Sequence, residues 1–355
     1  MSEKEEAPKA PVNSLLAWPL VNLITILGLD QYPEGTHFVP PPAIPFGTPL
    51  DHLRTVLGSV RSFLLAYFTM FYIHGGSDGW GYPAFGAASV LSVSWMWPIF
   101  VRNLLFAWLI CGFWDYTLYF SPLAPIFKPF KISQKYPVLK QFQHDALWTT
   151  VGTLCFSLLE IAYCHGAATN TFPMHQYLGE APVKHLIWIL FMTHIREPHD
   201  YIRHRLLHPW RITWLPIPDI GRFLYKHIHK LHHQSYNTTA FSGTSFHPIE
   251  NTLFFSANFL PVAFGVHPVI PLALIIDCGF AAWLGHGGFV FPGTGDYYHN
   301  IHHFTFDCNY GTQNIGLDWL FGTFAAREED VKNIWKKKKV GLEDNDTVIF
   351  KDKDN

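Results

Sequence analysis

His204-Arg-Leu-Leu-His208, His229-Lys-Leu-His232-His233 and His299-Asn-Ile-His302-His303 hold eight of the chain's 21 histidines. Two spacings recur: i to i+4, and i, i+3, i+4. On a helix either one puts imidazoles on one face about a turn apart, where they can converge on a metal. A single pair would carry little weight, since isolated surface histidines are common. Three boxes between residues 204 and 303, two of them reading His-x-x-His-His, make a metal centre the leading expectation. Neutral imidazole is the commonest metal ligand that proteins use.

Histidine alone does not name the metal, because imidazole suits zinc, copper, iron and nickel. Ligand number says more. Eight boxed histidines exceed one tetrahedral or octahedral site, so two ions are the economical expectation. Two further candidates are His247 in Ser-Phe-His-Pro-Ile-Glu and His286 in Trp-Leu-Gly-His-Gly-Gly. His247 is equally readable as a helix-terminating turn residue. The glycines flanking His286 allow close backbone approach, which favours a ligand. His227 stands two residues from His229 and would point away from that box on a helix, and His199 reads as a solvated residue near a helix start.

Composition places these boxes in an unusual setting. Of 355 residues, 49% are hydrophobic, 17% aromatic and 15% charged, against about a quarter charged in a soluble domain. Much of the surface therefore faces something other than water. Net charge is −2 and no basic stripe carries stacking aromatics, so nothing marks a nucleic-acid partner. Cys111, Cys155, Cys164, Cys278 and Cys308 are scattered and read as small buried hydrophobes in a reducing setting. The start, Met-Ser-Glu-Lys-Glu-Glu, lacks the basic region of a signal peptide. The apolar run Leu15 to Leu29 contains Pro19, is short for a span, and is expected along the membrane surface or packed on the fold.

Segments 55–73, 93–117, 147–166 and 182–198 are the candidate spans. Arg61 and Arg102 interrupt the first two and are costly at mid-membrane unless they snorkel or face the bundle. Residues 74–92 and 167–183 contain no Lys or Arg, whereas the connection between the second and third spans has Lys128, Lys131, Lys135 and Lys140. That connection is expected in the cytosol, and the first box follows the fourth span on the same side. The apolar run Thr252 to Phe289 must enter and return if the third box is to meet the others, and Pro261, Pro268 and Pro271 supply the turn. The expected fold is all-α: an integral membrane bundle of about four transmembrane helices plus a re-entrant apolar hairpin, with a cytosolic helical cap holding a histidine-rich dimetal site. The chain divides into an N-terminal cytosolic or interfacial segment 1–54, a transmembrane bundle 55–198, a histidine-box region 199–325 with its membrane hairpin 252–289, and a charged cytosolic tail 326–355. Metal candidates are His204, His208, His229, His232, His233, His247, His286, His299, His302 and His303.

Beyond the boxes, Glu197-x-x-x-Tyr201-x-x-His204-Arg205 resembles the Asp-x-x-x-Tyr-x-x-His-Arg lead-in of the sterol desaturase and fatty acid hydroxylase superfamily, with Glu in place of Asp. The stretch from His299 through Asp307, Asn309, Tyr310 and Gly311 resembles the last box of sterol C5-desaturases. Leu317-Asp318-Trp-Leu-Phe-Gly322-Thr323 resembles the family's closing Trp-Asp-Arg-Leu-Phe-Gly-Thr, without its Trp and Arg. The likeness covers about residues 145–325. It implies two non-haem Fe ions that activate O2 and take hydrogen from an unactivated C–H bond, with no catalytic residue assigned beyond the metal ligands. Glu197, Glu250 and Asp307 are candidates to orient ligand rings. Gly293-Thr-Gly295 lacks the third glycine of a dinucleotide fingerprint, so electrons must come from an external donor, which in related enzymes is cytochrome b5 with its NADH-dependent reductase. The final Lys351-Asp-Lys353-Asp-Asn355 matches a Lys-x-Lys-x-x retrieval signal, so the chain is expected in the endoplasmic reticulum membrane with both termini cytosolic.

The resulting expectation is an oxygen-dependent diiron lipid oxidase, most like a sterol C5-desaturase introducing a ring double bond. The alternative on the same fold is a hydroxylase of a fatty acyl, sphingoid or 4-methyl-sterol lipid. A metal transporter is the alternative from another class, though transport sites usually lie near the midplane rather than in polar stretches outside the spans.

Overall fold

Thr48-Pro-Leu-Asp51 starts the first long helix. The Thr48 hydroxyl accepts the Asp51 N–H at 3.3 Å and the Asp51 carboxylate accepts the Thr48 N–H at 2.8 Å, a reciprocal cap with Pro49 at the first helical position. The computed structural model describes residues 42–74, 83, 85–133, 135–210, 219–290 and 296–331. The Leu15–Leu29 run, Gly293-Thr-Gly295 and the Lys-x-Lys-x-x tail lie outside the described residues.

Helix α1 (Pro49–Phe68) continues to Ile73 through a wider turn in which the His74 N–H donates to the Thr69 carbonyl. α2 (Val93–Asp115) extends the same way to Phe120, and α3 (Leu139–Ala168) runs 30 residues without a break. α4 (Pro182–Leu206) carries the first box at its C-terminal end. The short α5 (Ile220–His227) leads into tight 3₁₀ turns over His229–Gln234. α6 (Pro248–Phe255) and α7 (Val269–His286) form the apolar hairpin, and α8 (Asp296–Thr305) carries the third box. Among the described residues there is no strand; an isolated antiparallel bridge joins Lys131 to Phe289.

Among the described residues, four helices are long and apolar enough to cross a membrane: Pro49–Ile73, Val93–Phe120, Leu139–Ala168 and Val269–His286. Three coincide with expected spans. The fourth does not. Segment 182–198 forms most of α4, which carries Lys184, Arg196 and Glu197 and falls short in hydropathy, while the second arm of the hairpin qualifies. Proline breaks that hairpin near its middle as expected: the chain turns at residues 264–268 and Pro268 caps α7.

Contacts at the helix ends orient the bundle. At one end, His165 Nδ1 meets the Ala88 carbonyl (2.8 Å), the His175 N–H reaches Val266 (3.3 Å) and Lys184 Nζ reaches Phe264 (2.9 Å). At the other, Asp115 accepts the Ala240 N–H (2.7 Å), Gln141 donates to the Asn237 carbonyl (2.7 Å), and Asn314 donates to Thr55 (2.8 Å). All three boxes gather at this second end. Between the two ends, a core that includes Met70, Ile99, Phe156, Met192, Phe255 and Leu272 ties the long helices and the hairpin together. Gly243 lets the turn Phe241–Thr244 press on α7, since a Cβ there would stand 2.4 Å from the Ala282 carbonyl oxygen. Both span arginines turn inward. Arg102 pairs with Glu160 and Asn103, and Arg61 lies over the Phe280 ring. None of the five cysteines is joined in a disulfide.

Candidate metal centre

Nine histidines converge in two adjoining groups. His204, His208, His229, His233 and His302 form one, and His232, His286, His299 and His303 the other, each with its candidate ligand atoms within 4.8 Å of one another. Different elements deliver them. α4 supplies His204 from its last turn and the bend just after it supplies His208; the 3₁₀ segment supplies one trio, α8 another, and the end of α7 supplies His286. All nine are buried except His299, which is partly covered.

Hydrogen bonding decides which nitrogen each ring presents. His204 Nδ1–H donates to the Tyr310 carbonyl (2.7 Å), His302 Nδ1–H to Cys308 (2.6 Å), and His286 Nδ1–H to Ala282, one turn back on its own helix (2.6 Å). A carbonyl can only accept, so in a neutral ring the proton sits on Nδ1 and Nε2 keeps a bare lone pair. His229 Nδ1 points at the Glu250 carboxylate (2.6 Å), with the same consequence. These Nε2 atoms then face other Nε2 atoms: His204 to His229 at 3.1 Å, His233 to His229 at 3.0 Å, His302 to His233 at 3.2 Å, and His286 to both His232 and His299 at 3.1 Å.

His204 and His229 cannot satisfy each other, because neither Nε2 carries a proton to share. Burial also holds other rings of the centre neutral. It pushes His208, His232, His233, His299 and His303 well below the usual histidine range, and His302 down to about 3. Opposed lone pairs in a buried site are costly unless a cation stands between them. Imidazoles bound at about 2.1 Å to a common first-row ion, at right angles, stand about 3 Å apart, so the donor set fits. His208, His232, His233 and His303 each keep a buried ring nitrogen with no hydrogen-bond partner among the described residues.

His247 is not brought to either group. It is the N-cap of α6, its Nδ1 accepting the Ile249 N–H at 3.2 Å. That local bond, set by Pro248 at the first helical position, fixes the ring on the helix terminus and away from the other nine. Of the three candidate orienting carboxylates, Glu250 reaches a ring. Glu197 is buried beside Arg196, and Asp307 lies buried in the turn after α8. Replacing Glu250 by Gln is expected to lower metal affinity and turnover by roughly 10–100-fold, the usual consequence of losing an outer partner of a ligating histidine. Metal titration of the purified variant measures it.

Several supports had no role assigned from the sequence, although Asp318, Tyr310 and Gly311 lie in the quoted motifs. Backbone carbonyls of Ala282, Cys308 and Tyr310 have no sequence signature. Asp318, fully buried, accepts the N–H groups of Tyr310 (2.9 Å) and Gly311 (2.8 Å) and so fixes the carbonyl that orients His204. A cavity of about 370 Å³ reaches the centre between α1, α4 and α7. His204, His229, His232, His286 and His299 close its inner end, with Phe246, Phe254 and Leu284 among its apolar lining and Arg61, Arg196 and Arg203 among its charged lining.

Residues 189–323 match the fatty acid hydroxylase family. The chain is 37% identical to the Delta(7)-sterol-C5(6)-desaturase of Nicotiana tabacum over 125 residues, covering 31% of this chain and 44% of that protein. It is 30% identical to the lathosterol oxidase of Homo sapiens over 191 residues, covering 50% and 56%. With the methylsterol monooxygenase 1 of Gallus gallus it shares 26% identity over 159 residues, covering 41% and 50%. The chain spans about half the length of these relatives. No solved structure matches it.

Proposed function

We propose that this chain, which belongs to the sterol desaturase and fatty acid hydroxylase superfamily, is an oxygen-dependent diiron lipid oxidase, most like a sterol C5-desaturase that introduces a ring double bond. The observation that carries the reading is the facing of Nε2 atoms in two adjoining groups, with those of His204 and His229 both bare, beside a cavity lined by α1, α4 and α7. Two bound irons would supply dioxygen activation and removal of hydrogen from an unactivated C–H bond.

The chain's own residues do the rest. Carbonyls and Glu250 lock the ring protons on Nδ1, so the donor atoms are preset and no proton must leave before metal binds. Phe246, Phe254 and Leu284 exclude water beside His232 and His299 and give an apolar substrate its contact surface. Electrons come from an external donor, with cytochrome b5 and its reductase the proposed pair. Lys128, Lys131, Lys135 and Lys140 lie at the end of the bundle that carries the boxes, which supports a cytosolic, donor-accessible face in the endoplasmic reticulum membrane.

Hydroxylation is the second reading, favoured by the name of the matched family and by the likeness to a methylsterol monooxygenase. Lipid profiling of cells lacking the protein separates the two. Accumulation of a sterol with a more saturated ring supports desaturation, and loss of hydroxylated lipids supports the alternative. Unchanged sterols and acyl lipids, with the protein expressed in the parent cells, would sink both.

A further inference from the structure

Arg61 lies midway along α1, where a charge is expensive in a bilayer, yet it turns into the protein. Its guanidinium carbon stands 4.0 Å from the centre of the Phe280 ring, and its side chain lines the cavity that ends at His286 and His299. Among the described residues its Nε is buried with no acceptor and no ion pair forms to it. Asp277, the charge that attracts it, is occupied by Ser62 (3.3 Å), Thr193 (3.0 Å) and Arg196 (3.5 Å). Arg102 shows what a closed structural arginine looks like here: Glu160 and Asn103 both bond it. Gly58, one turn before Arg61, keeps the space beside it open, since an added Cβ would meet nothing nearer than Arg61 Nη2 at 3.9 Å.

We propose that Arg61 is a specificity-determining residue that hydrogen-bonds a hydroxyl oxygen on the lipid substrate; this rests on the cavity being the lipid site. A guanidinium offers donors only, so its ligand must bring an acceptor. The wall of the cavity sets Arg54, Arg61, Arg196 and Arg203 against Asp51, Glu197, Asp200, Glu250 and Asp277, a near balance of charge that favours a neutral oxygen over an anion. The position defines the class further. Phe280 precedes His286 by six residues of α7, a rise of about 9 Å. An oxygen held over Phe280 therefore lies within about one fused-ring system of the carbon presented to the histidines. The substrate class that this spacing supports is a lipid alcohol whose hydroxyl lies about that far from the oxidised carbon, as it can on a fused-ring lipid.

The test compares iron-loaded protein in nanodiscs binding two probes, a Δ7-sterol and the same hydrocarbon lacking its ring hydroxyl. Wild type is expected to prefer the alcohol by about tenfold, and Arg61→Met to bring the two within twofold. Phe280→Leu, which removes the ring beneath the guanidinium while keeping the charge, should also shrink the preference and serves if Arg61→Met fails to fold. No preference in the wild type, or a preference that survives both substitutions, overturns the proposal. An alcohol preference that depends on Arg61, without any oxidation of the sterol by the wild type, would uphold this assignment and remove the proposed reaction instead.

Discussion

His302→Ala and His303→Ala, although neighbours in sequence, are expected to empty different halves of the centre. On α8 successive residues turn by about 100°, so His299 and His303 stand about 40° apart while His302 is about 100° from His303. The rings follow suit: His302 and His303 are nearly perpendicular, with 89° between their planes. His302 Nε2 meets His233 at 3.2 Å in the five-histidine group, while His303 belongs with His232, His286 and His299. Each alanine should therefore lower bound metal from two equivalents towards one. Turnover should fall by more than about 100-fold in both, exceeding the 10–100-fold expected for an outer partner. Metal analysis of the purified variants beside a turnover assay checks both halves. Retention of two equivalents with full turnover in either variant would remove that histidine from the centre.

That split bears on how much could be read beforehand. The eight boxed histidines were legible because imidazoles at i+3 and i+4 can converge, and all eight do come together. Their division was not legible, because spacing was read as one shared face. In the second box the trio lies on 3₁₀ turns, where His229 and His233 go to one group and His232 to the other. His286 was found by its glycines, yet what aims it is the bond from Nδ1 to Ala282 on its own helix, a backbone event without a sequence mark. His247 misled for the converse reason: an imidazole before Pro248 can cap a helix as well as bind a metal. Three spans were readable from apolar length. The fourth was misplaced because 182–198 and 269–286 are both apolar helices, and the charges of α4 lower its hydropathy while proline hides the length of α7. The coupling of Arg102 to Glu160 was invisible, since 58 residues separate partners that meet only when α2 packs on α3. The cavity likewise arises from three helices distant in sequence.

Asp318→Ala is expected to be the most damaging substitution outside the histidines. Its buried carboxylate accepts four donors: the Tyr310 N–H (2.9 Å) and Thr323 hydroxyl (2.6 Å) on Oδ1, and the Gly311 N–H (2.8 Å) and Tyr298 hydroxyl (2.9 Å) on Oδ2. Alanine removes the side-chain acceptor from all four, leaving the Thr323 hydroxyl only the residue 318 carbonyl at 3.4 Å. A buried donor left unsatisfied costs about 1–3 kcal/mol, so the loss should be on the order of 5 kcal/mol once partial relaxation is allowed. For a chain of this size that corresponds to a midpoint lower by roughly 7 °C. The loss also reaches the metal. Tyr310 is held at its N–H by Asp318 and at its carbonyl by His204, so a freed turn lets the His204 ring rotate and spoils the donor geometry. Asp318→Asn keeps the shape and can still accept through its amide oxygen, but its NH2 would meet the Gly311 N–H donor to donor, so an intermediate loss is expected. Thermal unfolding of the three proteins, with metal content measured below each midpoint, separates the effects. If Asp318→Ala melts like the wild type and keeps its metal, the buried carboxylate is not what holds the third box in register.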